Sequence, residues 1–271
     1  MKSFVRWGTT VSLVGSTLLA TIFGGNASVL ALTEQQIKEK LDQVPVFLIT
    51  NNKGIPLTRT LPTNAQNGQN GQNTPKTVSV INVFMNGQEA QTIVNQLSDA
   101  KKKDPKLAEV VKDLQVTPVP LGMIYQRLQE SANKPDRPLF VFEPAKQEVQ
   151  GAMTLLRQTG KDVKEIASVP VFIVRSPDKG YVSVKRKTDN KEVIPLFLSK
   201  KDAQALLQQV KTQVPKADIQ VVDIDNVIKT LREKNDAWLN QVAIVPSTET
   251  MQYVVSKRGN AKPAAAPAPK K

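Results

Sequence analysis

The sequence predicts a mixed α+β fold made of two pseudo-symmetric tandem repeats, each running β-β-β-α-β-α-β-α, with mixed sheet and flanking helices; neither half need be an independent domain, since two copies can share one core or one continuous sheet. Three observations carry this. The stretch Val44-Pro45-Val46-Phe47-Leu48-Ile49 recurs as Val169-Pro170-Val171-Phe172-Ile173-Val174. A polar turn with Lys-Gly follows each copy, Lys53-Gly54 in one and Lys179-Gly180 in the other. Further on, a second aliphatic run in each half, residues 80–85 and 193–198, leads straight into a helix. Runs of β-branched and aromatic residues closed by a Gly turn read as strands entering hairpins. Gly supplies the left-handed turn position that other residues resist.

Each element has a local reason. Thr33 caps a short helix in which Ile37 and Leu41 lie four apart. The first V-P-V-F strand follows, and residues 55–61 form the second hairpin arm. Residues 64–73 are a Gln/Asn/Gly tract with almost nothing apolar to bury, expected as a mobile loop inserted in the hairpin. Asn86 with Glu89, and Ser199 with Asp202, have the spacing of a capping box. Ala90, Ile93, Val94 and Leu97 fall at i, i+3, i+4 and i+7, as do Ala203, Leu206, Leu207 and Val210, which gives each helix one apolar stripe. Lys101-Lys102-Lys103 stands where cations compensate a helix C-terminus. Residues 116–119 read as a strand, and 121–128 as a helix with Leu121, Ile124, Tyr125 and Leu128 on one side. Residues 138–142 read as a strand ended by Pro144, and 148–157 as a connecting helix closed by Gly160. The second half repeats the order with a strand at 219–224, a helix carrying Val227, Ile228 and Leu231, a closing strand at 242–246 and a helix at 248–255. The halves span 32–158 and 159–257, and the Ala/Pro/Lys tail 258–271 is expected to be disordered.

The first 31 residues read as a leader outside the fold. Lys2 and Arg6 form a basic start, residues 11–30 are apolar and small without charge, and Val29-Leu30-Ala31 suits cleavage between Ala31 and Leu32. An uncleaved membrane anchor is the alternative, but Gly24, Gly25 and Asn26 interrupt the span. No Arg-Arg pair is present, so general secretion is expected over the twin-arginine route. The expected compartment is the periplasm, with the thylakoid lumen as a second one.

Composition limits what the exported chain does. The net charge is +13, and +11 once Lys2 and Arg6 leave. Zero Cys and zero His remove the commonest nucleophile, the commonest general base near neutral pH and the standard zinc ligands. Hydrophobic residues make up 40 %, enough for a real core. No phosphate-cradling glycine loop and no G-x-S-x-G elbow occur in the expected mature chain. Asp223 and Asp225 alternate along a strand edge, so both carboxylates face one way, but no calcium loop surrounds them; they read as polar surface or a helix N-cap. The reading is therefore not an enzyme, with no catalytic residue, no cofactor and no metal. Aromatics are only 5 % and the lysines are scattered, which argues against nucleic acid. The positive charge fits an anionic membrane surface or acidic partners better.

The paired V-P-V-F strands, K-G-I-P-L after the first, the E-A-Q and D-A-Q helices and I-P-L-F in the second half resemble the Tic twenty-two family, an intermembrane-space component of the translocon at the inner chloroplast envelope, and its cyanobacterial relatives. The export signal is similar to that of the cyanobacterial, periplasmic branch. The resemblance implies two pseudo-symmetric halves with exposed apolar pockets. It implies a chaperone-like factor in protein translocation and outer-membrane biogenesis that binds unfolded outer-membrane precursor proteins and works with the barrel insertase carrying POTRA domains. The alternative is an adaptor that docks one folded translocon or insertase component. The residues offered as partner-binding are Phe84, Met85, Leu121, Met123 and Tyr125 in the first half and Trp238, Met251 and Tyr253 in the second, since soft or aromatic side chains suit varied clients. The contrary reading places them in the core.

Overall fold

A computed structural model describes residues 7–13, 31–62, 77–102, 107–134, 137–186 and 188–260. After an N-terminal strand β1 (Trp7–Leu13), helix α1 (Glu34–Asp42) starts at Thr33, whose hydroxyl accepts from the Gln36 N–H while the Gln36 side chain accepts from the Thr33 N–H. The first half continues as β2 (Pro45–Thr50), β3 (Arg59–Pro62), β4 (Thr77–Phe84), α2 (Gly87–Lys101), α3 (Leu107–Val110), β5 (Gln115–Pro120), α4 (Leu121–Ser131), β6 (Leu139–Glu143) and α5 (Lys146–Gln158). The second runs β7 (Pro170–Ser176), β8 (Gly180–Arg186), β9 (Glu192–Phe197), α6 (Lys200–Val210), β10 (Asp218–Asp223), α7 (Ile224–Glu233), a 3-10 turn (Ala237–Gln241), β11 (Val242–Val245) and α8 (Thr248–Asn260).

The fold is mixed α+β on two sheets, and the pairing scheme recurs. In the first, β2 pairs antiparallel with β4 and β5, β3 lies on β4, and β6 runs parallel to β4. In the second, β7 pairs antiparallel with β9 and β10, β8 lies on both β7 and β9, and β11 runs parallel to β9. Phe47 faces Phe84 in one sheet and Phe172 faces Phe197 in the other. The first N–H of α4, at Leu121, donates to the Val44 carbonyl at 2.8 Å, and that of α7, at Ile224, donates to Val169 at 3.0 Å. Gly54 and Gly180 close the hairpins at φ +75° and +85°, where a Cβ is strained.

Strand alternation divides the core. Val44, Val46 and Leu48 of the first V-P-V-F segment, with Val169, Val171 and Ile173 of the second, turn into one central cluster shared by both sheets, which α1, α4 and α7 also enter. The intervening Phe47 and Phe172 turn the other way, into two separate outer clusters. Sharing one core between two sheets was one of the arrangements expected; the cover on the outer faces was not. Helix α5 ends the first half yet buries Ala152 on the second sheet, while α8 ends the second half and buries Val254 against the first. The terminal helices are exchanged. Their starts are tied down by the acids read as capping-box partners: Glu89 accepts from the Lys146 N–H at 3.0 Å, and Asp202 accepts from the Thr248 N–H at 3.1 Å. Each acid thus serves the first turn of a later helix, while Asn86 and Ser199 cap α2 and α6.

Other expectations shift. The second hairpin arm regularises only over β3, which pairs with β4, and touches β2 through the single bridge Thr50–Pro56. Helix α8 continues to Asn260, into the expected tail. Strand β10 stops at Asp223, which caps α7 by accepting from the Asn226 N–H at 2.7 Å; Asp225 lies inside that helix and accepts from the Ser168 hydroxyl at 2.9 Å, so the two carboxylates do not share a strand face. Within the expected leader, Trp7–Leu13 forms a strand antiparallel to β8, and residues 1–6 and 14–30 lie outside the described residues, as do the tract 64–73 and residues 261–271. Among the described residues, no helix is long and apolar enough to cross a membrane, and no group of three acidic, Cys or His residues could hold a metal.

Candidate functional site

Half of the proposed partner-binding side chains are core. Phe84 and Met85 end β4 and point to opposite sides, Phe84 into the outer cluster under α2 and α8, Met85 into the shared core. The Met85 carbonyl also accepts from the buried Thr250 hydroxyl at 3.2 Å. Leu121 and Tyr125 face the shared core from α4. The Tyr125 hydroxyl donates to Glu34 on α1, and Arg232 on α7 donates to the other oxygen of that carboxylate at 3.2 Å. Burial first, and then this carboxylate, push the Tyr125 phenol up to about 12. These four side chains offer a partner no surface. Tyr253 is half-buried, edge-on to Phe47 with ring centres 5.2 Å apart, and Lys257 lies over its open face.

Met123, Met251 and Trp238 remain accessible. Met123 is exposed on α4 and Met251 on α8, at 36 % and 43 %. Trp238 is half-buried on the 3-10 turn, its ring tilted 43° against Tyr181 with centres 5.1 Å apart. Around this pair opens a small apolar cleft of about 90 Å³. Its floor is the inner face of the second sheet, with Ile173 and Leu196, and one wall is the inner face of α7, with Val227 and Leu231. Asn226 and Thr230 give it a polar edge. The cleft exists because the shared core is not closed here. Tyr181, Val222, Ile228 and Trp238 lean on the central cluster and keep part of their surface in water.

The first half has a related feature on the same core. Val119, Leu128, Phe140 and Phe142 pack partly buried against the central cluster, and Leu139 at the start of β6 is 41 % exposed. In the sequence, the Phe-Val-Phe run of β6 reads as a closing strand. Two aromatic rings on alternate residues of a short strand were the available sign of an unfinished core face. Tyr181 gave no such sign, because its position beside Trp238 depends on how β8 crosses from β7 to β9. A third, polar opening lies between α1, β8, β9 and β11. There Lys40 donates to the carbonyls of Asn240 and Val242 at 2.9 and 2.8 Å, and burial, with nearby Arg186, lowers the affinity of its ammonium for a proton.

What the arrangement can do is hold apolar chain weakly. It has aromatic and aliphatic walls and few convergent polar groups.

The comparisons agree with this architecture. No curated protein matches the chain. The structure of Tic22 from Plasmodium falciparum, 20 % identical, superposes with a TM-score of 0.58 over 83 % of this chain and 99 % of its own, a likeness of fold. Tic22 from Anabaena, a protein-transport protein, is 56 % identical and superposes with a TM-score of 0.75, over 86 % of this chain and all of its own. The sequence matches the Tic22-like family over residues 11–256, and with nearly the whole chain covered the protein belongs to that family.

Proposed function

We propose that the protein is a non-enzymatic transport factor that holds unfolded precursor proteins during translocation and outer-membrane biogenesis. The observation that carries the reading is the open apolar cleft at Trp238 and Tyr181, on the central core that both sheets share. Such a surface takes extended apolar segments with little demand on their sequence. The protein-transport role of the Anabaena relative supports the same class of function. The expected leader puts the work in the periplasm, with the POTRA-bearing barrel insertase as the receiving partner. The net charge of +11 left once Lys2 and Arg6 are removed adds long-range attraction to anionic membrane surfaces.

In-cell photocrosslinking from Met123 and Trp238, with captured partners identified by mass spectrometry, tests this. Several unfolded barrel precursors are expected. Trp238→Asp is expected to cut their capture tenfold or more, since a central aromatic anchor carries about 2 kcal/mol. Capture of a single folded insertase would assign the adaptor role instead, and no capture from either position would remove the cleft as a binding surface.

A further inference from the structure

The two halves differ at one sheet edge. Strand β3 is blunted: it has four residues, all exposed, and ends in Pro62. Its counterpart β8 has seven residues, no Pro, and Val182 and Val184 at its centre. The Arg186 N–H donates at 2.9 Å to the Lys191 carbonyl across the β8–β9 turn, so Arg186 turns its polar backbone toward β9. By strand alternation Ser183 and Lys185 turn theirs to the outer side. A long, unblunted edge of this kind pairs with any extended chain that reaches it. In this chain β1 does so, antiparallel, with Leu13 opposite Val182, Ser12 opposite Ser183 and Val11 opposite Val184.

We propose that the outer edge of β8 is a strand-addition site. The chain's own residues 7–13 fill it in the precursor, and an extended strand of a client polypeptide fills it once export removes residues 1–31. Main-chain hydrogen bonds give the affinity, which makes the edge tolerant of sequence. Lys185, exposed near its end, favours clients with an acidic residue beside the apolar strand, while the neighbouring Arg186 is taken up by Asp189. This inference deepens the client-holding reading and rests on it, but uses a surface separate in kind from the apolar cleft: backbone pairing instead of side-chain burial.

The test uses the full chain and a labelled synthetic peptide of residues 7–13. Ser12→Pro removes the N–H opposite Ser183 and releases the edge. Binding of the peptide, followed by fluorescence polarisation, is expected to be at least tenfold tighter to the Ser12→Pro chain than to the unaltered one. Hydrogen exchange should then show the Ser183 and Lys185 amides protected only when the peptide is present. Adding Lys185→Pro, which removes an outward N–H at an exposed side chain, should abolish binding while the far-ultraviolet spectrum stays the same. Equal binding to both chains, or no gain of protection at Ser183 and Lys185, overturns the proposal even if the Lys185→Pro chain fails to fold. An edge-to-edge dimer of the Ser12→Pro chain that takes no peptide overturns it as well and assigns the edge to a second copy. Trp238→Asp separates the two readings. Loss of precursor capture with peptide binding intact counts against neither, because it places the two functions on two surfaces. Peptide binding without any precursor capture in the unaltered protein would overturn the client reading and, with it, the client strand as occupant, leaving the edge to residues 7–13.

Discussion

Glu148 shows how one residue's chemistry follows from where its helix has been sent. It lies in the first turn of α5, buried, with its carboxylate accepting the Lys200 N–H at 2.7 Å across the boundary between the halves. Burial is the largest influence on it and, with the charges of Glu249 and Asp202, outweighs the hydrogen bond from Lys200, so its affinity for a proton is raised above that of an ordinary glutamate. The sign follows from linkage. The native state binds this proton more tightly than the unfolded state, so the contribution is fully present at pH values below 4.5 and is lost as pH rises through the native titration. Glu148→Gln keeps an oxygen for the Lys200 N–H and removes the titration. The melting temperature of the variant relative to the parent is therefore expected to rise steadily between pH 4 and pH 7. A difference that stays constant over that range would show that Glu148 ionises as it does in the unfolded chain.

At the scale of elements, close approach decides which glycines matter. Gly87 opens α2, and a Cβ there would overlap the Tyr253 ring and come within 3.0 Å of Phe47. That ring packs edge-on against Phe47, so a Cβ at Gly87 pushes it off this contact. Gly151 in α5 meets only the Lys200 side chain, at 2.8 Å from its Cδ, and a lysine chain swings away. Gly87→Ala is expected to lower stability by about 1–3 kcal/mol through overpacking, and Gly151→Ala to raise it by about 0.5–1 kcal/mol through helix propensity. Paired thermal melts check both, and equal shifts would show that the α2–α8 contact is loose. Element by element, much was legible in the sequence. The V-P-V-F strands, the caps at Thr33, Asn86 and Ser199, and the apolar stripes each depend on neighbours within a few residues. The helix exchange was not legible, because the same stripe on α5 or α8 fits either sheet and only the path of the connection chooses. For the same reason Phe84, Met85, Leu121 and Tyr125 could not be sorted from Trp238 by residue type: burial depends on which face is covered, and by what.

At the scale of the whole molecule, the exchanged helices and the shared core tie the halves together, and the two are expected to unfold as one cooperative unit. Val254 is 6 % exposed on α8, at the end of the second half, yet its neighbours are Phe47, Ile49 and Phe84 of the first sheet. The first sheet is joined to the second through the central cluster, where Val46 and Val171 belong to the same packed group. Burying a charge at Val254 therefore damages the first half directly and the second only through cooperativity. Val254→Asp is expected to cost on the order of 3 kcal/mol. The chain has two Trp residues, so a Trp7→Phe background leaves Trp238, in the second half, as the single indole reporter. If the halves unfold together, the Trp238 fluorescence transition moves to lower temperature by the same amount as the far-ultraviolet transition of the whole chain. If each half were an independent domain, the Trp238 transition would stay where it was while part of the far-ultraviolet signal was lost early. Coincident shifts would mean that the Trp238 cleft is held open by a scaffold reaching through both halves, so that stability changes far from the cleft alter client holding without touching its walls.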